Sequence, residues 1–157
     1  MFMANNNELK LISTVFSHNG HIPPEYTCEG RNINPPLKVE NIPDGTKTLA
    51  LIVEDPDAPR GVFDHWVVWN ISPNEAIAEG SNVGINGTNG FGKTGYGGPC
   101  PPSGVHRYFF KIFALDDILD LLPGAKKVEL LDKMKGHILA RAELMGVYQK
   151  HKQTVTS

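Results

Sequence analysis

The fold is decided by Thr48-Leu49-Ala50-Leu51-Ile52-Val53-Glu54, an apolar run that is followed at once by Asp55-Pro56-Asp57-Ala58-Pro59. In an extended chain the apolar residues of the run alternate onto both faces. A strand with two apolar faces is typical of a sheet that is covered on both sides. Asp55 continues the phase of the face that starts at Leu49, so we expect its carboxylate to lie at the end of that face.

Two further apolar segments predict strands of the same kind. The segment from Val105 to Leu115 is the longest strand candidate in the chain, and His106 and Tyr108 share one of its faces. The segment from His65 to Ile71 is also apolar on both sides. Regular alternation predicts that four of its residues share one face, namely His65, Val67, Trp69 and Ile71.

Each of these three predicted strands has a polar residue at one end. Asp55 follows the first strand, whereas His65 and His106 open the other two. Antiparallel neighbours place the end of one strand beside the start of the next. The sequence therefore predicts that the three side chains meet at one sheet edge. A glycine-proline loop from Gly97 to Gly104 precedes His106, and its amides could form an anion-binding nest. The whole arrangement predicts a small anion-binding pocket on a β scaffold.

The rest of the chain is rich in turns. Its 16 glycines and 12 prolines are typical of the many fixed loops of an all-β architecture. Strands are also predicted over residues 9–16, 37–42 and 140–148, and an amphipathic helix over residues 128–135. Residues 116–122 are compatible with one or two helical turns that end at Pro123-Gly124.

The bulk properties exclude several classes of protein. The 157 residues are enough for one domain with a continuous core. A formal net charge of -2 gives no electrostatic basis for binding nucleic acid, and no apolar stretch approaches the ~20 residues of a transmembrane helix. Met1-Phe2-Met3 and the asparagines after it lack the basic and apolar regions of a signal peptide. We therefore expect a cytoplasmic protein.

Cys28 and Cys100 are the two cysteines of the chain. Two cysteines do not make the disulfide framework of a small secreted protein. In a reducing cytoplasm both are expected to be free thiols. Both lie in proline-rich polar loops, so a disulfide is the alternative if the two loops meet.

The polar groups at the predicted sheet edge have several interpretations. Asp55 also fits a structural turn, in which an Asp side chain accepts backbone N–H bonds. Two histidines and an aspartate can bind zinc or iron, but the chain has no H-x-H or H-E-x-x-H spacing. Ser103 or Cys100 could form a hydrolase triad with His106 and Asp55, but the chain lacks a G-x-S-x-G elbow.

The chain resembles the phosphatidylethanolamine-binding protein family, also called Raf kinase inhibitor proteins. The resemblance lies in Asp55-Pro56-Asp57-Ala58-Pro59, in the strand that His65 opens, and in Gly98-Pro99 with Gly104-Val105-His106-Arg107-Tyr108. Four further segments resemble the bacterial and archaeal YbhB/YbcL branch: Tyr26-Thr27-Cys28-Glu29-Gly30, Asn34-Pro35-Pro36-Leu37, Gly98-Pro99-Cys100-Pro101-Pro102 and Glu143-Leu144-Met145-Gly146-Val147-Tyr148. The resemblance covers about residues 9–149 and implies that residues 1–157 form a single domain of this family.

The resemblance implies a mainly β fold of two antiparallel sheets, a large central one and a smaller one, with a few short helices. It also implies a pocket for small anions such as phosphate or phosphorylethanolamine. The residues that match the family's pocket motifs, and that we expect to bind the ligand, are Asp55, Pro59, His65, Gly98, Pro99, His106 and Tyr108. Pro59 would be a cis-proline that shapes the pocket wall.

The family has no established enzymatic reaction, so we expect no catalysis, no cofactor and no bound metal. Its members regulate kinases, bind lipid head groups or inhibit serine proteases, and relatives of this branch form homodimers. The sequence therefore predicts a protein that binds a small anion or a phosphorylated head group and regulates or inhibits a kinase or protease. A homodimer is the expected assembly. A cryptic hydrolase or metal-dependent enzyme that uses the Asp/His pocket is the alternative.

Overall fold

The computed structural model describes residues 8–74 and 76–151. Their strands are β1 (Lys10–Ile12), β2 (Gly20–His21), β3 (Leu37–Glu40), β4 (Thr48–Asp55), β5 (Phe63–Ile71), β6 (Ala76–Ile77), β7 (Ile85–Asn86), β8 (His106–Leu115) and β9 (Ile138–Tyr148). A 3-10 helix spans Pro24–Tyr26 and one α-helix, α1, spans Lys127–Met134. The prediction about a signal peptide concerns Met1–Met3, which lie outside the described residues. Across the described ranges, no helix is both long and apolar enough to cross a membrane.

The larger sheet has six strands in the order β2-β9-β8-β4-β5-β7. β4 lies between β8 and β5 and is antiparallel to both, and β9 is antiparallel to β8. β2 pairs with β9 in parallel. The end of β4 therefore lies beside the starts of β5 and β8, so Asp55 pairs with Phe63 while β8 opens at His106. This is the arrangement that the polar strand ends predict.

The smaller sheet has three antiparallel strands in the order β1-β3-β6. It covers one face of the larger sheet, and the main hydrophobic core lies between the two. Buried side chains from both sheets fill this core, including Leu11, Val39, Leu51, Trp66 and Phe110. The predicted fold class of two sheets with few helices is confirmed, and the β2–β9 pair is the parallel exception.

A second core covers the opposite face of the larger sheet. There Ile52 and Trp69 pack against Leu130 of α1. The helical turns predicted over residues 116–122 are wrong, because this segment is irregular. The Asn70 amide donates to the Leu119 carbonyl at 2.9 Å and accepts from the Leu119 N–H at 2.8 Å, so it occupies the backbone groups that a helix would pair.

A β-bulge in β5 sets the position of His65. Val53 of β4 pairs with Trp66 of β5, and the next residue, Glu54, pairs with Asp64. His65 lies between these two partners and has none of its own in β4. An extra residue reverses the alternation of side chains, and bulges often re-aim a side chain near a site. His65 consequently lies on the Asp55 side of the sheet, where its ring centroid is 5.2 Å from that of Tyr108.

The predicted common face of His65, Val67, Trp69 and Ile71 is therefore wrong. Val67 and Trp69 pack in the second core, whereas Ile71 packs in the main core. A second irregularity of the ladder, between its pairs with Leu49 and Leu51, moves Ile71 to the other face. Alternation predicts a shared face only where a strand is regular.

Candidate functional site

The turn that follows β4 is fixed by its two aspartates. Oδ1 of Asp55 accepts the Asp57 N–H at 2.7 Å, as in an Asx turn. The Asp57 carboxylate accepts the Arg107 backbone N–H at 2.9 Å and the guanidinium at 2.9 and 2.8 Å. These bonds to Arg107 lower the pKa of Asp57 to about 2 against the opposing effect of burial. The turn is thereby tied to the start of β8.

The bond between Ala58 and Pro59 is not the cis-proline that the resemblance implies, since no cis peptide bond occurs in residues 8–74 and 76–151. The Ala58 carbonyl accepts the Gly61 N–H at 3.1 Å, which closes a β-turn with Pro59 at its second position. A trans proline fits there because its fixed φ matches the turn. Pro59 nevertheless forms part of a cavity wall.

A cavity of about 160 Å³ lies beside this turn. Five of the residues predicted to bind ligand line it: Asp55, Pro59, His65, His106 and Tyr108. Its other walls come from Ala58, Phe63, Phe91, Cys100, Pro101 and Pro102. No Lys or Arg is among these described lining residues. The structure thus brings the acid and the two histidines into one small, largely apolar space.

The innermost polar contact of the cavity joins His106 to Asp55. Nδ1 of His106 lies 2.6 Å from Oδ2 of Asp55, and both residues are buried. The carboxylate can only accept here, so Nδ1 donates and the ring orientation is fixed. Nε2 is the ring nitrogen left for a ligand, as a donor when the imidazole is charged and as an acceptor when it is neutral.

His65 is held by backbone rather than by a carboxylate. Its Nδ1 lies 2.7 Å from the Gly97 carbonyl oxygen, which accepts, so Nδ1 carries a proton. Burial lowers the pKa of His65 below its usual value, although the Gly97 carbonyl and the charge of Asp55 act in the opposite direction. The uncharged form, with its proton on Nδ1, is therefore favoured.

The hydroxyl of Tyr108 is buried without a hydrogen-bond partner among the described residues. Burial, and then the charge of Asp55, raise the pKa of Tyr108 far above its ordinary value. A side-chain hydrogen bond to Asp55 also contributes to this rise, so the carboxylate lies close to the hydroxyl although the two make no hydrogen bond of ordinary geometry. A buried unpaired hydroxyl costs about 1–3 kcal/mol, and a ligand that accepts its proton would remove that cost.

Gly98 and Pro99 are predicted binding residues that do not line the cavity. The Gly98 N–H donates to Oδ1 of Asn32 at 2.8 Å, and the Pro99 carbonyl accepts the Cys28 N–H at 3.1 Å. A Cβ on Gly98 would lie 2.4 Å from the Tyr26 carbonyl oxygen. The predicted amide nest is therefore not formed at Gly98. Its N–H is bonded to Asn32, and the Tyr26 carbonyl occupies the space that a side chain would need. Ligand contact by either residue stays a prediction.

Cys28 and Cys100 form a disulfide across 72 residues of sequence. Of the two alternatives that the sequence left open, the bridge is the one present, and the expectation of two free thiols is wrong. The two proline-rich loops meet because the Tyr96 hydroxyl donates to the Tyr26 carbonyl at 2.7 Å, in addition to the Gly98 contact. Of the two bonded cysteines, Cys100 lines the cavity.

Sequence reasoning missed the aromatic part of the cavity. The ring centroids of Phe63 and Phe91 are 4.7 Å apart, and Phe63 lies 4.8 Å from His65. Phe63 begins β5 directly before the bulge, so its two-residue spacing from His65 was an available signal. Phe91 had none, because it lies in the glycine-rich loop between β7 and β8.

The metal and hydrolase alternatives gain no support from the geometry. Within the described ranges, no group of three His, Cys, Asp or Glu residues is arranged to hold a metal ion. The triad is not assembled, because Ser103 is exposed and does not line the cavity, and Cys100 is bonded to Cys28. The Asp55–His106 pair therefore faces no serine or free thiol within the described lining.

The fold and the cavity define a class of two-sheet β protein with an Asp–His pocket at one edge of the larger sheet. A family model described as phosphatidylethanolamine-binding protein matches residues 12–149 of this chain. The chain therefore belongs to the phosphatidylethanolamine-binding protein family, and the resemblance noted from its motifs is confirmed.

Relatives and solved structures agree with this assignment. The UPF0098 protein PH1269 of Pyrococcus horikoshii is 50% identical over 150 residues, which cover 88% of this chain and 76% of the relative. A UPF0098 protein of Methanothermobacter thermautotrophicus is 48% identical, covering 90% and 99% of the two chains. The phosphatidylethanolamine-binding protein homolog CT736 of Chlamydia trachomatis has a TM-score of 0.90 at 45% identity, covering 92% and 99%. E. coli YbcL, described as a member of the mammalian PEBP family, has a TM-score of 0.83 at 29% identity, covering 91% and 99%.

Proposed function

We propose that this protein binds a small anion in the cavity, and that the ligand is a phosphorylated head group such as phosphorylethanolamine. The observation that carries the proposal is the buried hydroxyl of Tyr108, which makes no hydrogen bond of ordinary geometry and lies beside the Asp55–His106 pair. His65 and His106 line the same cavity, and each uses its Nδ1 in a hydrogen bond within the protein, which leaves Nε2 as the nitrogen to meet a ligand. The Tyr108 hydroxyl can donate a proton to an anion, and Nε2 of each imidazole can do so when its ring is charged.

The charges of the cavity favour a weakly charged anion. The described lining carries one carboxylate and two imidazoles but no Lys or Arg, so a polyanion would find little compensation for losing its hydration. A phosphate monoester that keeps one proton fits better, because imidazolium and hydroxyl donors form charge-assisted hydrogen bonds to its oxygens. Asp55 can accept from a protonated phosphate oxygen or from an amine.

The size and the aromatic wall suggest what the phosphate is attached to. A cavity of roughly 150 Å³ can hold a molecule of benzene size, so about 160 Å³ accommodates a phosphate with a short substituent. Phe91 and Phe63 both line the cavity, with their ring centroids 4.7 Å apart, and Phe91 is 48% exposed. A small ammonium group would interact favourably with these ring faces.

Isothermal titration with phosphorylethanolamine tests this proposal. We expect saturable binding by the wild-type protein, and a Kd about 10- to 100-fold weaker in His106→Ala, because one hydrogen bond to a charged group contributes about 1.5–3 kcal/mol. His137→Ala is the matched control: its Nδ1 also lies close to a carboxylate, 2.9 Å from Asp116 Oδ1, but outside the cavity lining. Its affinity should equal that of the wild type.

Two results would count against the proposal. The first is the absence of both heat and NMR chemical-shift change with millimolar phosphorylethanolamine. The second is an equal loss of affinity in His106→Ala and His137→Ala, which would point to a general effect on the fold. Titrations with inorganic phosphate and with ethanolamine separate the contributions of the two ends of the ligand.

We also propose a protein partner for the rim of the cavity, with a kinase or a serine protease as the class that family membership suggests. Val62, Phe91 and Val105 are 53%, 48% and 53% exposed, and each lines the cavity or directly precedes a residue that does. Exposed apolar groups around a pocket are typical of interaction sites. The homodimer and the cytoplasmic location stay predictions.

Inhibition assays against a panel of serine proteases and kinases test the rim. We expect inhibition by the wild-type protein to fall about tenfold or more in Val105→Glu, because a charge would have to be buried at the interface. Phosphorylethanolamine binding by that variant should be unchanged. No inhibition of any member of the panel by the wild-type protein would contradict this second proposal.

A further inference from the structure

The disulfide stands where it can be reached from solvent and can act on the cavity. Cys28 is exposed, and Cys100 is partly exposed and lines the cavity next to Pro101 and Pro102. Exposed disulfides are more easily reduced than buried structural ones, and many of them are regulatory. This one therefore combines chemical access with a position in the wall of the binding site.

The cavity wall depends on this disulfide for its anchorage. Up to Pro99, the loop is held against residues 26–32 by hydrogen bonds from Tyr96, from Gly98 and to the Pro99 carbonyl. Residues 101–104 make no hydrogen bond to any other described residue. The next fixed point along the chain is His106, where β8 begins. Between Pro99 and β8, the bond from Cys100 to Cys28 is thus the covalent anchor of the wall, in addition to the packing of the buried Pro101.

We propose that the Cys28–Cys100 disulfide is a thiol-reactive modification site that controls ligand affinity: small thiols reduce it, residues 100–104 are released, and the cavity binds its ligand more weakly. This inference rests on the proposed binding of a phosphorylated head group. It adds a chemical signal, the thiol level of the surroundings, to which that site responds.

The reaction is an ordinary thiol–disulfide exchange. The thiolate of a small dithiol attacks Sγ of the exposed Cys28, a new S–S bond forms, the bond to Cys100 breaks, and its electron pair leaves on Sγ of Cys100. The second thiol of the reagent then attacks the mixed disulfide and releases Cys28. The reagent ends as a cyclic disulfide, the protein gains two electrons, and both cysteine thiolates take up protons.

The loss of affinity follows from the fraction of molecules in which residues 100–104 keep the position that they have in the oxidised protein. When a binding-competent conformation is only partly populated, the apparent Kd rises by the inverse of that fraction. The hydrogen bond from the Cys28 N–H to the Pro99 carbonyl does not depend on the disulfide, so release should be confined to residues 100–104. If residues 100–104 keep that position about one-tenth of the time in the reduced protein, the apparent Kd rises about tenfold.

Two measurements on the full chain, each with and without dithiothreitol, test the proposal. Titration calorimetry with phosphorylethanolamine should give an affinity about tenfold weaker for the reduced protein. NMR order parameters of the Ser103 and Gly104 amides should fall on reduction, whereas those of β4 stay at the values of a rigid backbone. Cys28→Ser/Cys100→Ser is the control: it should behave like the reduced wild type and should not respond to dithiothreitol.

The outcomes separate this inference from the proposed function. If the oxidised protein fails to bind phosphorylethanolamine, the proposed function is wrong, and unchanged order parameters at Ser103 and Gly104 would then reject the release of residues 100–104 as well. If the oxidised and reduced proteins bind equally well, the proposed control by the disulfide is wrong, although the proposed function stands. A response to dithiothreitol by the double serine variant would assign the effect to the reagent instead of the disulfide. Near-ultraviolet circular dichroism of each sample shows that the protein compared is folded.

Discussion

Replacing Cys28 and Cys100 together by serine is expected to lower the free energy of unfolding by about 4 kcal/mol. The disulfide joins residues that are 72 positions apart. On the chain-entropy account, a cross-link over a loop of that length removes enough freedom from the unfolded chain to give this value. Since folded domains are stable by only about 5–15 kcal/mol, the variant should unfold at a clearly lower urea concentration.

Urea unfolding followed by circular dichroism measures this difference. The reduced wild-type protein should unfold at the same urea concentration as Cys28→Ser/Cys100→Ser, because both lack the cross-link. Agreement between them would exclude an effect of the serine side chains themselves. A loss below about 1 kcal/mol in both samples would contradict the prediction and would indicate that the unfolded chain without the disulfide keeps residual structure.

The central strands and their polar ends could be predicted because the signals are local. Each strand is apolar on both faces, and each polar residue lies at the boundary between a strand and a loop. Antiparallel pairing then brings the end of β4 to the starts of β5 and β8. The contact between Asp55 and His106 follows from these two steps, and the structure places the two side chains 2.6 Å apart.

The orientation of His65 could not be predicted in the same way. Alternation groups it with Val67 and Trp69, which pack in the second core, whereas the bulge turns it toward Tyr108. A bulge depends on the register between two strands, and no residue of β5 signals it in the sequence. His65 lines the cavity, but the face that alternation predicted for it was wrong.

Gly98 shows a different limit of sequence reasoning. A glycine pair before a proline indicates close approach to the backbone, but it does not say what approaches. Here the approaching group is the Tyr26 carbonyl of the same chain. The position of Phe91 was equally hidden, because it depends on how a long irregular loop folds back over the cavity.

Replacing Trp66 by alanine is expected to lower the free energy of unfolding by about 3–5 kcal/mol, the range for large aromatic side chains in a core. Trp66 is 0% exposed, and its Nε1 donates to Oδ1 of Asn86 at 2.7 Å. The substitution leaves a large cavity between the two sheets and removes the donor to Asn86. Thermal and urea unfolding should both show the loss, and Trp66→Phe, which keeps a ring, should lose less.

Trp69→Ala is the matched control that connects this core to the site. Trp69 is also 0% exposed, and its Nε1 donates to the Leu121 carbonyl at 3.2 Å, but it packs on the opposite face of the sheet. Both variants should lose similar stability. Only the change at Trp66 should also weaken phosphorylethanolamine binding. Trp66 directly follows His65 at the bulge, and its ring packs edge-on against Tyr96. The Tyr96 hydroxyl in turn holds the loop that leads to Cys100. Equal affinities of the two folded variants, measured by titration calorimetry, would show that the main core does not position the site.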